Sequence, residues 1–327
     1  MPNTNAEKGD LAVNADEIRH IAVVGTGTIG ISWAALFLAN GFDVTATDVR
    51  PEAEAALRSG VDQTLPSLDR GGKTSRKGVL RFSASLEDCC RDADFVQENA
   101  IEREPEKVVL LSQIDAVARP DVVIASSTSA ISITAIQKAC TRPQRVVLGH
   151  PFNPPHLIPL VELAGGEQTE AWAIDLAERL YRRLGKATIR LNKEIYGHVA
   201  NRLQAAIFRE AIHLLESGVA SAEDIDRAVT EGPGLRWALM GPFLTYHLAG
   251  GRNGIRGFMQ QFAPLQQRLW AELGGPILDP ALQALVVEAV DKAVAGRNVA
   301  EIAADRDRRL QALLIARSTP AQTEGAG

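Results

Sequence analysis

The chain has 327 residues, 46% of them hydrophobic and 23% charged, and a formal net charge of −5. The length is about twice the roughly 150 residues of an average domain, so one large or two medium domains are expected. No apolar run approaches the roughly 18 residues of a membrane span, and an acidic chain without a Lys/Arg tract is a poor nucleic-acid binder, which leaves a soluble protein with a small-molecule partner.

Residues 1–17 lack the basic start and apolar stretch of a secretory signal and read as a disordered tail. From residue 20 to about 192, β-branched runs alternate with helical stretches: HIAVVG, DVTATDV, DFVQENA, VVIASST, RVVLGHP, LIPLVEL and ATIRL. That alternation is the pattern of a doubly wound α/β sheet. The segment from Pro51 to Lys77 reads as helix, broken in two by Asp69-Arg70-Gly71-Gly72-Lys73. Only FNPPH separates RVVLGHP from LIPLVEL, too little for a helical crossover, so these two strands are expected to pair antiparallel as a hairpin. After Leu191 the apolar residues take helical spacing, and Ser221 followed by Asp224 reads as an N-cap with a capping-box carboxylate. The expected division is a tail at 1–17, a mostly parallel α/β domain at 18–192, an all-α domain at 193–317 and a second disordered tail at 318–327. Cys89, Cys90 and Cys140 form no CxxC or Cys/His metal spacing and no even disulfide framework, so no metal and a reducing, cytoplasmic setting are expected.

The chemistry begins at the first glycine turn. Gly25, Gly27 and Gly30, with Thr28 and Ile29 between them, follow the strand HIAVVG and open the apolar helix ISWAALFLANGF. In such a context the first glycine permits the turn, the second lets backbone N–H groups approach a pyrophosphate, and the third lets helix and strand pack closely. The helix N-terminus adds its dipole and free donors. Asp48 ends the second strand, 18 residues past Gly30, where a carboxylate bonds a ribose 2′-OH and repels an extra phosphate. The reading is a Rossmann-like site for NAD in preference to NADP, with Arg50 as the one feature pulling the other way.

Further along stand Ser129 in SSTS, His150 in HPFNP, Glu162 in LIPLVEL and Asn201 in GHVANRL. In this order and spacing the chain resembles the L-3-hydroxyacyl-CoA dehydrogenase family from about His20 to the end of the α-helical region. The resemblance implies a Rossmann-like domain, a helical domain that forms a homodimer, and an active site in the cleft between them. It carries over His150, Glu162, Ser129 and Asn201 as a catalytic quartet, and Glu102 and Lys107 to the cofactor side, where Ser129 and Asn153 are placed too, Asn153 chiefly as the residue that fixes its loop. The residue types suit the task independently. Oxidising a secondary alcohol needs a base of near-neutral pKa at the hydroxyl, which His150 supplies. A carboxylate on the neighbouring strand orients that imidazole, and Ser129 and Asn201 can bond the forming carbonyl oxygen. The other five histidines have no such context.

The stretch RWALMGPFLTYHLAGG is similar to the family branches that oxidise small 3-hydroxy acids, the L-carnitine type first and the lambda-crystallin type of L-gulonate dehydrogenase second. By that resemblance Arg236 takes the substrate carboxylate, for which a guanidinium is a bidentate clamp. A quaternary ammonium would sit against aromatic faces, and Phe152, Trp237, Phe243 and Tyr246 are the candidates for a partial cage. Lys73, Arg76 and Lys77 form a basic cluster where acyl-CoA members meet the CoA tail, so a short acyl-CoA substrate stays open as the alternative. A non-catalytic, crystallin-like NAD(H) binder is the remaining alternative.

Overall fold

Strand-forming residues in the first two thirds of the chain join one eight-stranded sheet. The computed structural model describes residues 15–68 and 78–318. The strands are β1 (His20–Val24), β2 (Asp43–Thr47), β3 (Leu80–Phe82), β4 (Phe95–Glu98), β5 (Val123–Ser126), β6 (Val146–Pro151), β7 (Leu160–Gly165) and β8 (Ala187–Arg190). Their order is β3-β2-β1-β4-β5-β6-β7-β8, parallel at every pairing except β6 with β7, which is the expected antiparallel hairpin. The order turns back between β1 and β4, the kind of switch point where a crevice opens beyond the strand ends. β3 is a strand that no alternation announced: three residues at the sheet edge, set by parallel pairing with β2.

Helices cover both faces: α1 (Thr28–Ala39), α2 (Ala53–Leu68), α3 (Leu86–Cys90), α4 (Glu104–Val117), α5 (Ile133–Gln137) and α6 (Ala171–Arg183). The two-residue period of the strands sorts the core into two clusters. In β1, Ile21 and Val23 face a cluster with Trp33, Phe37 and Tyr181, while Ala22 and Val24 face another with Leu111, Ile114 and Ile136. Trp33 stacks on Phe37 at 5.3 Å between ring centroids, and Phe95 meets Tyr181 edge-on at 5.9 Å. Each fully buried side chain of this kind contributes about 1.5–3 kcal/mol. α2 ends at Leu68, just before the break read from the sequence; residues 69–77, with Lys73, Arg76 and Lys77, lie outside the described residues.

By its contacts the chain falls into two compact units, Met1–Asn201 and Arg202–Gly327. The second consists of helices: α7 (Ala200–Glu216, whose first two residues belong to the first unit), α8 (Ala222–Thr230), α9 (Pro233–Trp237), α10 (Pro242–Ala249), α11 (Gly254–Glu272), α12 (Pro280–Val294) and α13 (Val299–Ser318). Ser221 caps α8 as expected, its Oγ accepting from the Asp224 N–H at 3.1 Å. Among the described residues the buried apolar side chains of this unit are Ile212, Ile225, Phe258 and Leu282, a small core for so many helices. Of the expected N-terminal tail, residues 1–14 lie outside the described residues; Ala15 is buried, and its carbonyl accepts from Arg183 at 2.8 Å. Of the expected C-terminal tail, Ser318 closes α13 and 319–327 lie outside the described residues. No helix among the described residues is long and apolar enough to cross a membrane.

Candidate active site

The glycine turn between β1 and α1 leaves room where a dinucleotide needs it. Gly25 has φ +87°, and a Cβ there would stand 2.8 Å from the backbone of Asn99 and Ala100. A Cβ on Gly30 would lie 1.9 Å from the Gly25 carbonyl oxygen, so the start of α1 rides directly on the turn. Gly27, the N-cap of α1, faces open space, offers no side-chain cap, and is followed by a first turn without an acidic residue. Thr28, Ile29 and Gly30 therefore begin a helix whose N–H donors have no carboxylate competing with a phosphate. Asp48 follows β2 and accepts from the Thr26 N–H at 2.7 Å and from Arg50 Nε and Nη2 at 2.9 and 3.0 Å. Partial burial works against its ionisation, but the Arg50 guanidinium and the Thr26 and Arg50 amides outweigh it and hold the carboxyl far below the usual range. The open N-terminus, the close glycine packing and the ionised Asp48 fit the phosphates and ribose of NAD.

His150 and Glu162 stand directly opposite each other on β6 and β7. His150 Nδ1 bonds Glu162 Oε2 at 2.8 Å, and both side chains are buried. The other carboxylate oxygen, Oε1, accepts the N–H groups of Val199 and Ala200 at 2.9 and 3.0 Å, where α7 begins. Burial alone would raise the Glu162 pKa; the His150 bond and the two amides reverse that and hold it below its ordinary value. An ionised carboxylate only accepts, so Nδ1 carries a proton, and the neutral imidazole has its lone pair on Nε2. That is the tautomer a base needs.

Ser129 and Asn201 lie together beside this pair's framework: Asn201 Nδ2 donates to the Ser129 carbonyl at 3.5 Å. Glu102 gathers the same loop, accepting from Thr128 Oγ1 at 2.7 Å, the Ser129 N–H at 2.8 Å, Ser129 Oγ at 3.3 Å and the Ala130 N–H at 3.0 Å. Lys107 is 3.7 Å from Glu102, but its ammonium is buried against Glu98 at 2.7 Å. Glu98 also takes the Ala100 N–H at 2.6 Å and bonds the Ser126 hydroxyl. Glu98 was not singled out from the sequence. The signal was a carboxylate closing the buried strand FVQE, a position that demands a partner. His198 was likewise passed over; it lies between Thr128 and His150, with its ring 5.0 Å from that of His150 and Nε2 3.0 Å from the Thr128 carbonyl. Asn153 is exposed in the hairpin loop, and its peptide bond to Pro154 is cis.

The same architecture is known elsewhere. The NAD binding domain of 3-hydroxyacyl-CoA dehydrogenase matches residues 20–195, and the C-terminal domain of the same enzyme matches 197–274. The chain belongs to the 3-hydroxyacyl-CoA dehydrogenase family. Among its relatives, the L-carnitine dehydrogenase of Streptomyces coelicolor is 46% identical over 303 residues, covering 92% of this chain and 95% of that protein. The L-carnitine dehydrogenase of Pseudomonas aeruginosa is 46% identical over 300 residues, covering 91% and 94%. Among solved structures, the NAD+-dependent 5-formyl-3-hydroxy-2-methylpyridine 4-carboxylic acid 5-dehydrogenase superposes with a TM-score of 0.79 at 30% identity, covering 92% of this chain and 98% of that one. This member of the 3-hydroxyacyl-CoA dehydrogenase family is thus an NAD-dependent oxidoreductase, as its glycine turn and Asp48 indicated.

The residues expected to hold substrate fall in both units and are described within each. Phe152 is half-buried in the first unit, in the hairpin loop. In the second, Arg236 on α9 is exposed, and among the described residues its guanidinium has no ion-pair partner. Tyr246 on α10 packs its ring 4.8 Å from Phe258, while Trp237 is 41% and Phe243 87% exposed. Among the described residues no ring contact joins Trp237, Phe243 and Tyr246 to one another.

Proposed function

We propose that this chain oxidises the 3-hydroxyl of a small L-3-hydroxy acid, with L-carnitine, giving 3-dehydrocarnitine, as the substrate. The reading rests on the His150–Glu162 pair for the reaction and on the two L-carnitine dehydrogenases at 46% identity for the substrate. NAD, held by Gly25, Gly27, Thr28, Ile29, Gly30 and Asp48, supplies the acceptor for the hydride of the alcohol carbon. His150 Nε2 takes the hydroxyl proton, and Glu162 stabilises the imidazolium that results. Ser129 Oγ and Asn201 Nδ2 donate to the forming carbonyl oxygen. Arg236 clamps the substrate carboxylate, and Phe152, Trp237, Phe243 and Tyr246 offer faces to the trimethylammonium group. Glu102, Lys107 and Asn153 act on the cofactor side, the first two by fixing the loop that carries Ser129.

The division of labour follows the motifs: residues 18–192 hold NAD, and residues 193–317 complete the substrate site and form a homodimer. The second unit supports the dimer, because Leu239, Phe243, Trp270, Ile277 and Val299 are all more than half exposed while its own core is small. A second copy is the occupant that closed symmetry favours for such a surface. Three free cysteines fit a reducing compartment, and we place the protein in the cytoplasm.

A short L-3-hydroxyacyl-CoA is the second reading, favoured by the family to which the chain belongs. NADH formation separates the two, with L-carnitine, L-gulonate and L-3-hydroxybutyryl-CoA offered separately and NADP+ as the cofactor control. L-Carnitine is expected to be turned over fastest, and Arg236→Ala to raise its KM while leaving that for NAD unchanged. Turnover of the CoA ester alone would overturn the substrate while leaving the base and its carboxylate in place.

A further inference from the structure

The turn into α7 carries a histidine that the reaction above does not use. His198 is 3% exposed, and its Nε2 donates to the carbonyl of Thr128, the residue before Ser129, at 3.0 Å. A carbonyl only accepts, so Nε2 carries the proton and Nδ1 is a lone pair; Nδ1 is buried and has no hydrogen-bond partner. The ring lies 5.0 Å from that of His150, tilted by 52°. The backbone is as unusual as the side chain. His198 has φ +51° directly after Gly197 at +76°, and a side chain in this left-handed region is uncommon. Residues held there cluster at functional sites. The reversal is followed at once by the Val199 and Ala200 amides, which bond Glu162 Oε1.

We propose that His198 is a positioning residue for the catalytic pair, tying the Thr128–Ser129 loop to the turn before α7 so that the His150 ring is backed and two amides stay on Glu162. Four contacts converge on this role: the Thr128 carbonyl, the His150 ring, and the two amides that its backbone aims. Burial, and secondarily the nearby His150, lower the His198 pKa. The Thr128 bond opposes that lowering without reversing it, so the ring is held toward its uncharged form. A phenylalanine of similar size would fill the space without the orphaned nitrogen, but it would forfeit the bond to Thr128.

The inference rests on His150 being the base, and the experiment keeps the two apart. His198→Phe keeps a ring and loses the donor; His198→Gln keeps a donor that reaches the same carbonyl. Both meet the same backbone conformation, so their difference reads the hydrogen bond. His198→Phe is expected to lower kcat on the order of 10- to 100-fold, since a small misplacement of reacting groups is that costly. KM for NAD should be unchanged, and His198→Gln should recover most of the loss. The downfield proton resonance of the His150 Nδ1–H, which needs no substrate, should shift or vanish in His198→Phe and persist in His198→Gln. Wild-type kcat in His198→Phe, an unmoved resonance, or equal losses in both variants would overturn the role. If His198→Phe does not fold, loss of the resonance in a folded His198→Gln overturns it and retention supports it. If the wild type oxidises no hydroxy acid, the proposed function fails, and the resonance alone decides His198.

Discussion

Replacing Glu162 by Gln changes one charge and almost no volume, so it isolates what the carboxylate does. Oε2 is 2.8 Å from His150 Nδ1, and Oε1 holds two amides. If the Gln oxygen stays on the amides, its NH2 faces Nδ1, which must then accept; the imidazole proton moves to Nε2 and the base has no lone pair for the substrate. If the Gln turns round, its NH2 meets two N–H donors in a buried place, and those donors go unpaired. The charge carries its own cost. An imidazolium and a carboxylate about 4 Å apart between charge centres attract by about 4 kcal/mol at an effective dielectric of about 20. At about 1.4 kcal/mol per decade, that is a loss of about 10³-fold in kcat, and the wrong tautomer carries it toward the roughly 10⁴-fold known for such exchanges. Steady-state NADH formation measures kcat, and NADH fluorescence titration measures cofactor affinity, which should change by less than about twofold. A kcat loss below about tenfold, or an equal loss of NADH affinity, would refute the assignment of the pair.

Asp48→Asn should lower the preference for NAD over NADP by at least about tenfold in kcat/KM, because Arg50 loses its bidentate partner and is freed for a 2′-phosphate. An unchanged preference would place discrimination elsewhere. Gly30→Ala puts a methyl group 1.9 Å from a backbone oxygen, and the cost of about 1–3 kcal/mol or more should lower Tm and NAD affinity together. Wild-type values for both would refute the close packing of α1 on the turn. Acid stability follows from linkage. Glu162, Glu102, Asp48, Asp115 and Glu178 are held below their ordinary values despite burial, so the unfolded chain binds protons more readily. Their contribution is complete above the ordinary carboxylate values of 3.8 and 4.5 and is lost as pH falls through the lowered ones. His198 is also lowered, from 6.5, so its share begins to go as pH drops below that value. Tm should therefore decline from about pH 6.5 downward and most steeply in the carboxylate range, and a Tm that rises between pH 7 and 5 would contradict this.

What the sequence disclosed is what short-range rules govern. Gly25, Gly27 and Gly30 advertise their turn by their spacing after a strand, Gly25 and Gly30 because a Cβ at either would strike backbone, and Asp48 is placed by strand length. The brevity of FNPPH forces the hairpin, and the hairpin brings His150 to Glu162. β3 stayed hidden because three residues carry no readable period and gain their conformation from β2. The Glu98–Lys107 pair was half visible: Lys107 stood out through the family motif, whereas its partner Glu98 is identified only by the ion pair in the fold. His198 was passed over because a lone histidine in a turn has no local signal; its role depends on Thr128 and His150, 70 and 48 positions away in the chain.

The strict pairing of β6 with β7 has a consequence for how this enzyme can vary. His150 faces Glu162 in register, and strand side chains alternate, so deleting one residue inside either strand would swing one of the two to the far face and, with the roles proposed for them, end catalysis. A change in length between Phe152 and Pro159 leaves that register untouched. With the roles proposed above, the chemistry is written into the two strands, and the loop that joins them, with Phe152 and Asn153 on it, is where insertions and deletions would remodel substrate choice without disturbing the proposed base.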